Sequence, residues 1–460
     1  MSAISTWTIE DGEFWQATGK RIATRNLWIS IPALLLAFAV WMVWSVVVAK
    51  LPAVGFKFTT DQLFWLAAIP GLSGATLRIF YSFMPPIFGG RLWTSLSTAS
   101  LLLPAVGIGF AVQNPGTPYI VFASLALLCG FGGGNFASSM ANISFFFPKA
   151  EKGNALALNA GLGNLGVSAV QFLAPLVVAA GVYGPLAGGP QTIVKATGQT
   201  VQIWSQNAAF VWVPFIVVFT VAAWLGMNDI ADAKASFREQ AVIFRRKHNW
   251  LMCWLYLGTF GSFIGYAAGF PLLIKSQFAG VNALQYAWVG PMVGAVIRPF
   301  GGWLADRLGG AVVTFWNFVV MALAVVGVLW FLPSGGSGGS FAGFFACFLV
   351  LFLTTGIGNG STFRMIPVIF LTERMREAAG KGEAAQEQAV KEANKEAAAV
   401  LGFTSAFAAY GAFFIPKSYG TSISMTGGPE AALYLFIVFY LTCIAMTWWY
   451  YSRKNAEMPC

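Results

Sequence analysis

Long apolar runs separated by short polar punctuation constrain this chain more than any other feature it has. Several exceed the ~20 residues that take an α-helix across a bilayer. In hydrocarbon every backbone N–H and C=O must be satisfied within the protein, so only helices or a closed barrel can span it. Runs of this length read as helices. Composition agrees: charged residues make up 10% of the chain, hydrophobic ones 57%, and mean hydropathy is +0.69. A soluble domain carries roughly 25% charged residues.

Reading in order, the periodicity and punctuation predict twelve helices, at 26–49, 61–85, 93–112, 119–147, 154–182, 208–227, 249–274, 283–304, 312–332, 341–370, 397–419 and 429–451. Turn residues at 114–116 (NPG), 333–340 (PSGGSGGS) and 427–429 (GGP) separate them. The N-terminus is polar and acidic, without a short apolar core or a small-residue cleavage site, so the first helix serves as the targeting signal. The expected fold is an all-α membrane protein of twelve transmembrane helices in two pseudo-symmetric six-helix bundles. Residues 1–227 form one bundle, 228–249 a cytoplasmic central loop, and 250–460 the other.

Lysine and arginine set the orientation. Of 27 basic residues, 19 fall in segments that are cytoplasmic if the N-terminus is inside. Five fall in outer loops or at outer helix ends (Lys50, Lys57, Lys195, Lys275, Lys417), and Arg78, Arg298 and Arg364 lie within predicted helices. The positive-inside rule then places both termini in the cytoplasm. The net charge of +10 therefore records topology, and no basic, aromatic-interleaved domain for nucleic acid stands outside the membrane.

The two halves repeat. Arg78 is followed by Phe80 and then Gly89-Gly90, and Arg298 by Phe300 and Gly309-Gly310, an offset of 220 residues (298 − 78). Gly132-Gly133-Gly134-Asn135 matches Gly356-Ile357-Gly358-Asn359 at an offset of 224 (359 − 135), with Ser138 and Thr362 following. Similar offsets in one order mark a parallel repeat, the pattern of transporters that bind substrate near the midplane and expose it alternately.

A charge at the bilayer centre costs ~2.5–3.5 kcal/mol on insertion scales. Arg78 and Arg298 lie about one turn cytoplasmic of their predicted helix centres, too deep to snorkel. Placing all 17 acidic residues leaves no carboxylate deep in a helix: Asp61 sits at an outer end and Asp306 in a cytoplasmic loop. An anion must visit the arginines, and guanidinium suits a planar oxyanion because its fixed fork donates two parallel hydrogen bonds. Arg364, nearer a cytoplasmic end, reads as a structural or vestibule residue. Segment 372–395 reads as a solvated, charged cytoplasmic helix.

Residues 157–166, ALNAGLGNLG, and 356–363, GIGNGSTF, place small residues where helix backbones approach closely. Their amides, Asn159, Asn164 and Asn359, require partners in lipid. Cys129, Cys253, Cys347, Cys443 and Cys460 form no CxxC pair, so neither a metal site nor a disulfide framework is indicated.

Residues 302–309, GWLADRLG, resemble the G-x-L-x-D-R-x-G cytoplasmic loop motif of the major facilitator superfamily, at Gly302, Asp306, Arg307 and Gly309. ALNAGLGNLG and GIGNGSTF resemble the two nitrate signatures of its nitrate/nitrite (NarK-type) porters, through Gly161, Gly163, Gly166, Gly356, Gly358, Asn359 and Gly360. RNLWIS (25–30), FTTDQLF (58–64), residues 133–149 and YLGTFGSFIGY (256–266) are similar too, so the resemblance covers nearly the whole chain. It implies the major facilitator fold with Arg78 and Arg298 as the substrate arginines. Asn164 and Tyr256 would donate hydrogen bonds, Phe136 and Phe260 would sandwich the flat anion, and Ser405 would lie nearby. The chain departs from the family at Ala157 and Ala160, where glycine is frequent, and at Arg364, where some relatives carry an uncharged polar residue.

The resemblance implies transport of nitrate and nitrite across a bacterial inner membrane, in nitrate assimilation. The protein would be monomeric in membrane lipid and use neither cofactor nor nucleic acid. Without a deep carboxylate, and with the only histidine, His248, in the central loop, exchange of anions fits better than proton symport. Proton-coupled nitrate symport, and phosphate or organophosphate exchange on the same fold, are the alternatives. An enzyme would need a nucleophile, metal cluster or carboxylate pair within the membrane, and the census offers none.

Overall fold

The computed structural model describes residue 4 and residues 6–194, 198–231, 241–333 and 338–460. Lys195, Lys234, Arg238 and residues 334–337 of the glycine–serine run lie outside the described residues. Twelve helical spans follow in order: α1 (Gly12–Val54), α2 (Thr60–Tyr81), α3 (Gly90–Ala111), α4 (Tyr119–Phe146), α5 (Lys149–Val178), α6 (Asn207–Gly226), α7 (Lys247–Gln277), α8 (Val289–Leu308), α9 (Gly310–Phe331), α10 (Phe341–Glu377), α11 (Glu383–Thr426) and α12 (Glu430–Ser452). All but α8 are, among the described residues, long and apolar enough to cross a membrane. The 20 residues of α8 rise about 30 Å, a full crossing; Arg298, Asp306 and Arg307 make it less apolar.

Local chemistry explains the boundaries. α2 opens on a capping box: Thr59 accepts from the Gln62 amide at 3.2 Å, and the Gln62 side chain accepts from the Thr59 amide at 2.9 Å. It ends at Tyr81 rather than 85, because Pro85-Pro86 starts a separate turn over Met84–Phe88. α3 breaks at Ser100, four residues before Pro104, because a proline ring excludes the helical carbonyl at that spacing and has no N–H to bond it. The paired glycines of the repeat adopt one conformation: Gly89 (φ 88°, ψ 146°) caps α3 and Gly309 (φ 90°, ψ 132°) caps α9. Only glycine takes such values readily.

Two expectations change. Segment 372–395 is no independent helix, since α10 runs on to Glu377 and α11 begins at Glu383. Its solvated reading holds for much of the surface, but Glu396, just beyond it, is buried at 5% exposure. The ion pairs make that burial tolerable: Arg246 pairs with Glu373, Glu377 and Glu396, and Arg374 with Glu377, Glu392 and Glu396. Arg246 is held above its ordinary pKa, chiefly by its hydrogen bond to Glu377. Asp306 also lies in the last turn of α8 rather than in a loop.

The chain forms two compact units. The first comprises Met1–Ala235, Gly265–Met292 and Ala412–Gly427, and the second Ser236–Ile264, Val293–Gly411 and Gly428–Cys460. In the first, α2 packs on α4 and α1 on α5 through glycines. Residues of α7 and α11 join it: Gln171 donates to the Ala267 carbonyl at 2.8 Å, Lys417 pairs with Asp61 at 2.9 Å, and Lys275 donates to the Ala49 carbonyl. A hairpin, β1 (Gln191–Val194) with β2 (Thr200–Ile203), pairs antiparallel with Gln191 opposite Ile203. In the second unit α9 packs on α10 and α12.

Candidate functional site

Arg78 lies in the last turn of α2, nearer the helix end than the sequence predicts, because the helix stops at Tyr81. Its complete burial comes instead from neighbours. Nε donates to the Gly133 carbonyl at 2.9 Å, and the guanidinium carbon lies 4.8 Å from the Phe136 ring centre and 5.2 Å from that of Trp41. The helices meet this closely because both contacting residues are glycines. A Cβ on Gly133 would fall 2.6 Å from the Gly74 Cα and 2.7 Å from the Trp41 ring. On α5, Asn164 is buried, and its Oδ1 has no hydrogen-bond partner among the described residues. Gly163 and Gly166 pack on Leu34 and on the Leu35 carbonyl of α1, whereas Gly161 faces open space.

In the second unit Arg298 occupies the middle of α8 at 9% exposure. Nη2 donates to the Tyr256 hydroxyl at 3.2 Å, and the guanidinium carbon lies 5.4 Å from the Phe363 ring. Nη1 is buried without a hydrogen-bond partner among the described residues. Tyr256 stacks on Phe260 (5.6 Å, 14°), because a π-helical turn at Leu257–Gly261 widens α7 between them. On α10, Gly356 abuts the Gly294 carbonyl, Gly358 the Thr259 and Asn317 side chains, and Gly360 the Arg298 carbonyl and Gly302 amide. Asn359 is buried, with Oδ1 unpartnered among the described residues. Ser405 is buried and donates to the Gly402 carbonyl at 2.9 Å.

The loop motif forms a cluster at the end of α8. Asp306 pairs with Arg364 at 3.3 Å, Gly302 lies beside the Arg364 side chain, Arg307 stacks on Trp303 at 4.3 Å, and Gly309 turns the chain into α9. Arg364 is thus tied to a surface carboxylate.

Predicted residues are brought together as Arg78 with Phe136, and as Arg298 with Tyr256 and, through it, Phe260. Two ring residues escaped the sequence reading. Phe363 follows by three residues Gly360, which matches Phe136 at the repeat offset of 224, so each half sets one α4- or α10-borne ring over its arginine. Trp41 lies in an apolar run and had no signal beyond its size. Each arginine is thus held by rings and by backbone or hydroxyl oxygens, and Arg298 keeps a buried N–H edge at Nη1 that can face the oxygens of an anion.

The Major Facilitator Superfamily family model matches residues 29–382. The chain is similar to the "Nitrate/nitrite transporter NarU" of Salmonella typhimurium, 52% identical over 99% of this chain and 97% of that one. It is likewise similar to NarU of Escherichia coli, 52% identical over 98% and 96%. To the "Probable nitrate/nitrite antiporter NarK2" of Thermus thermophilus it is 43% identical over 99% and 98%. Among solved structures, a bacterial homologue of the human lysosomal transporter Spinster, inward-facing and occupied, superposes with TM-score 0.58 over 93% of this chain and 96% of that one. At 12% identity this is likeness of fold alone.

Proposed function

The chain belongs to the nitrate/nitrite (NarK-type) porters of the major facilitator superfamily, and on that premise we propose that it transports nitrate and nitrite by alternating access, exchanging one for the other. The observation carrying this is the 52% identity, over nearly the full length, to relatives named nitrate/nitrite transporters. The protein is a multi-pass membrane protein of a transporter family, not an enzyme.

In this reading Arg78 and Arg298 grip the anion's oxygens, and Asn164 and Tyr256 donate further hydrogen bonds. Phe136 and Phe260 supply flat apolar walls that exclude hydrated ions, and Ser405 lines the site. Gly161, Gly163, Gly166, Gly356, Gly358 and Gly360, with Asn359, let helices pack and shift, and Gly302, Asp306, Arg307 and Gly309 brace the cytoplasmic turn. Residues 1–227 and 250–460 act as the two bundles, joined by 228–249. We place the protein in a bacterial cytoplasmic membrane, with both termini inside, as a monomer in lipid, needing no cofactor and no nucleic acid.

Exchange follows from charge. Two buried guanidiniums without an anion disfavour reorientation through a low-dielectric barrier, and a bound anion offsets that charge in both directions. Glu396, the buried helical carboxylate, is already committed to Arg246 and Arg374. Liposomes preloaded with nitrite are therefore expected to take up nitrate, and empty liposomes under an inward proton gradient to take up little. Nitrate accumulation in nitrite-free liposomes that rises with the gradient and stops with an uncoupler would overturn exchange.

A further inference from the structure

Trp41 is the largest side chain touching Arg78, and three elements fix it. Nothing exposes it to solvent. Its Nε1 donates to the Pro70 carbonyl at 2.7 Å, on α2 eight residues before Arg78 (78 − 70). The other lone pair of that oxygen stays available to the helix. The indole lies over the glycine contact between α2 and α4: Cβ atoms on Gly74 or Gly133 would meet its ring at 2.5 Å and 2.7 Å. A side chain at either glycine would collide with the indole. The same Gly133 presents its carbonyl to Arg78 Nε at 2.9 Å.

The Nε bond to Gly133 therefore helps fix the guanidinium's direction, and two rings fix its tilt, Trp41 at 5.2 Å and Phe136 at 4.8 Å. Indole is the strongest of the aromatic partners for a cation. Rings hold a cation without cancelling its charge, as a carboxylate would. A cation held this way keeps both its charge and its orientation for a visiting anion.

We propose that Trp41 is a positioning residue for the Arg78 guanidinium and, through it, a determinant of selectivity for flat trigonal oxyanions over pyramidal ones. The inference rests on Arg78 being an anion-binding group, as argued above. With the indole gone, the guanidinium tilts, one of two parallel bonds to a planar anion is lost, and a pyramidal anion loses less.

The test measures binding of nitrate and of chlorate, a pyramidal anion of equal charge, to the full-length protein purified in detergent. Trp41→Leu is expected to weaken nitrate binding about tenfold and to lower the nitrate-to-chlorate affinity ratio. A purely structural role would lower yield and thermal stability and leave the ratio alone, so an unchanged ratio overturns the proposal. If Trp41→Leu does not fold, Trp41→Phe decides. It keeps a ring but lacks the Nε1–H anchor, so a ratio lowered about three- to fivefold supports the proposal and an unchanged ratio overturns it. Arg78→Lys is measured alongside. Unimpaired nitrate binding there removes the underlying anion site, whereas impaired binding there with an unchanged ratio in the Trp41 variants removes only the role of Trp41.

Discussion

Replacing Arg298 by lysine keeps the charge and removes the fork. The guanidinium has one donor on Tyr256 at 3.2 Å and a second nitrogen, Nη1, buried without a partner among the described residues. An ammonium on a shorter stem serves one of these directions. The variant thus loses one charge-assisted bond to the anion, ~1.5–3 kcal/mol, and part of the Tyr256 bond, ~0.5–1.5 kcal/mol. The smallest sum, about 2 kcal/mol, is a roughly thirtyfold loss of affinity. The measurement is nitrate binding by titration calorimetry on the purified, folded variant, paired with nitrite-driven nitrate uptake in liposomes. Tyr256→Phe, which removes only the hydroxyl, is expected to weaken binding about fivefold. Nitrate affinity within about threefold of the unsubstituted protein in Arg298→Lys would refute the bidentate reasoning.

Packing makes a second expectation: Gly360→Ala places a methyl against the Arg298 carbonyl and the Gly302 amide, backbone that cannot give way. It should destabilise by ~1–3 kcal/mol, while Gly161→Ala, which meets open space, leaves the unfolding midpoint in detergent unchanged. Asp61→Asn breaks the pair with Lys417, whose ammonium also lies 4.5 Å over Trp65. A loss of up to ~1 kcal/mol is expected, with Asp61→Asn/Lys417→Gln no worse than either single change in thermal denaturation. Glu457 is held below its ordinary carboxylate pKa of 4.5, first by its hydrogen bond from Lys247. Its stabilisation is therefore present above about pH 4.5 and is lost as pH falls through the lowered folded value. Glu457→Gln should flatten that part of the stability–pH curve, read by thermal denaturation across pH 3–6, a window set by the reference carboxylate range.

Much of this protein was legible in one dimension, because lipid leaves the backbone few choices. Apolar run length gave the helical spans, and the repeat gave Arg78 and Arg298 as counterparts. The glycines at 89 and 309 marked matching turns, which the structure places at nearly equal φ. Signature stretches identified the family, which the full-length relatives bear out. Helix ends were less legible, since Pro85-Pro86 shortened α2 while Glu377 and Glu383 lengthened α10 and α11. What only tertiary structure decided is which neighbours meet across helices. Trp41 meets Arg78 because glycines 74 and 133, 59 residues apart (133 − 74), let two helices touch. Glu396 is buried because Arg246 and Arg374 reach it from other segments. Such contacts depend on interhelical distance and side-chain direction, quantities that a hydropathy pattern does not contain.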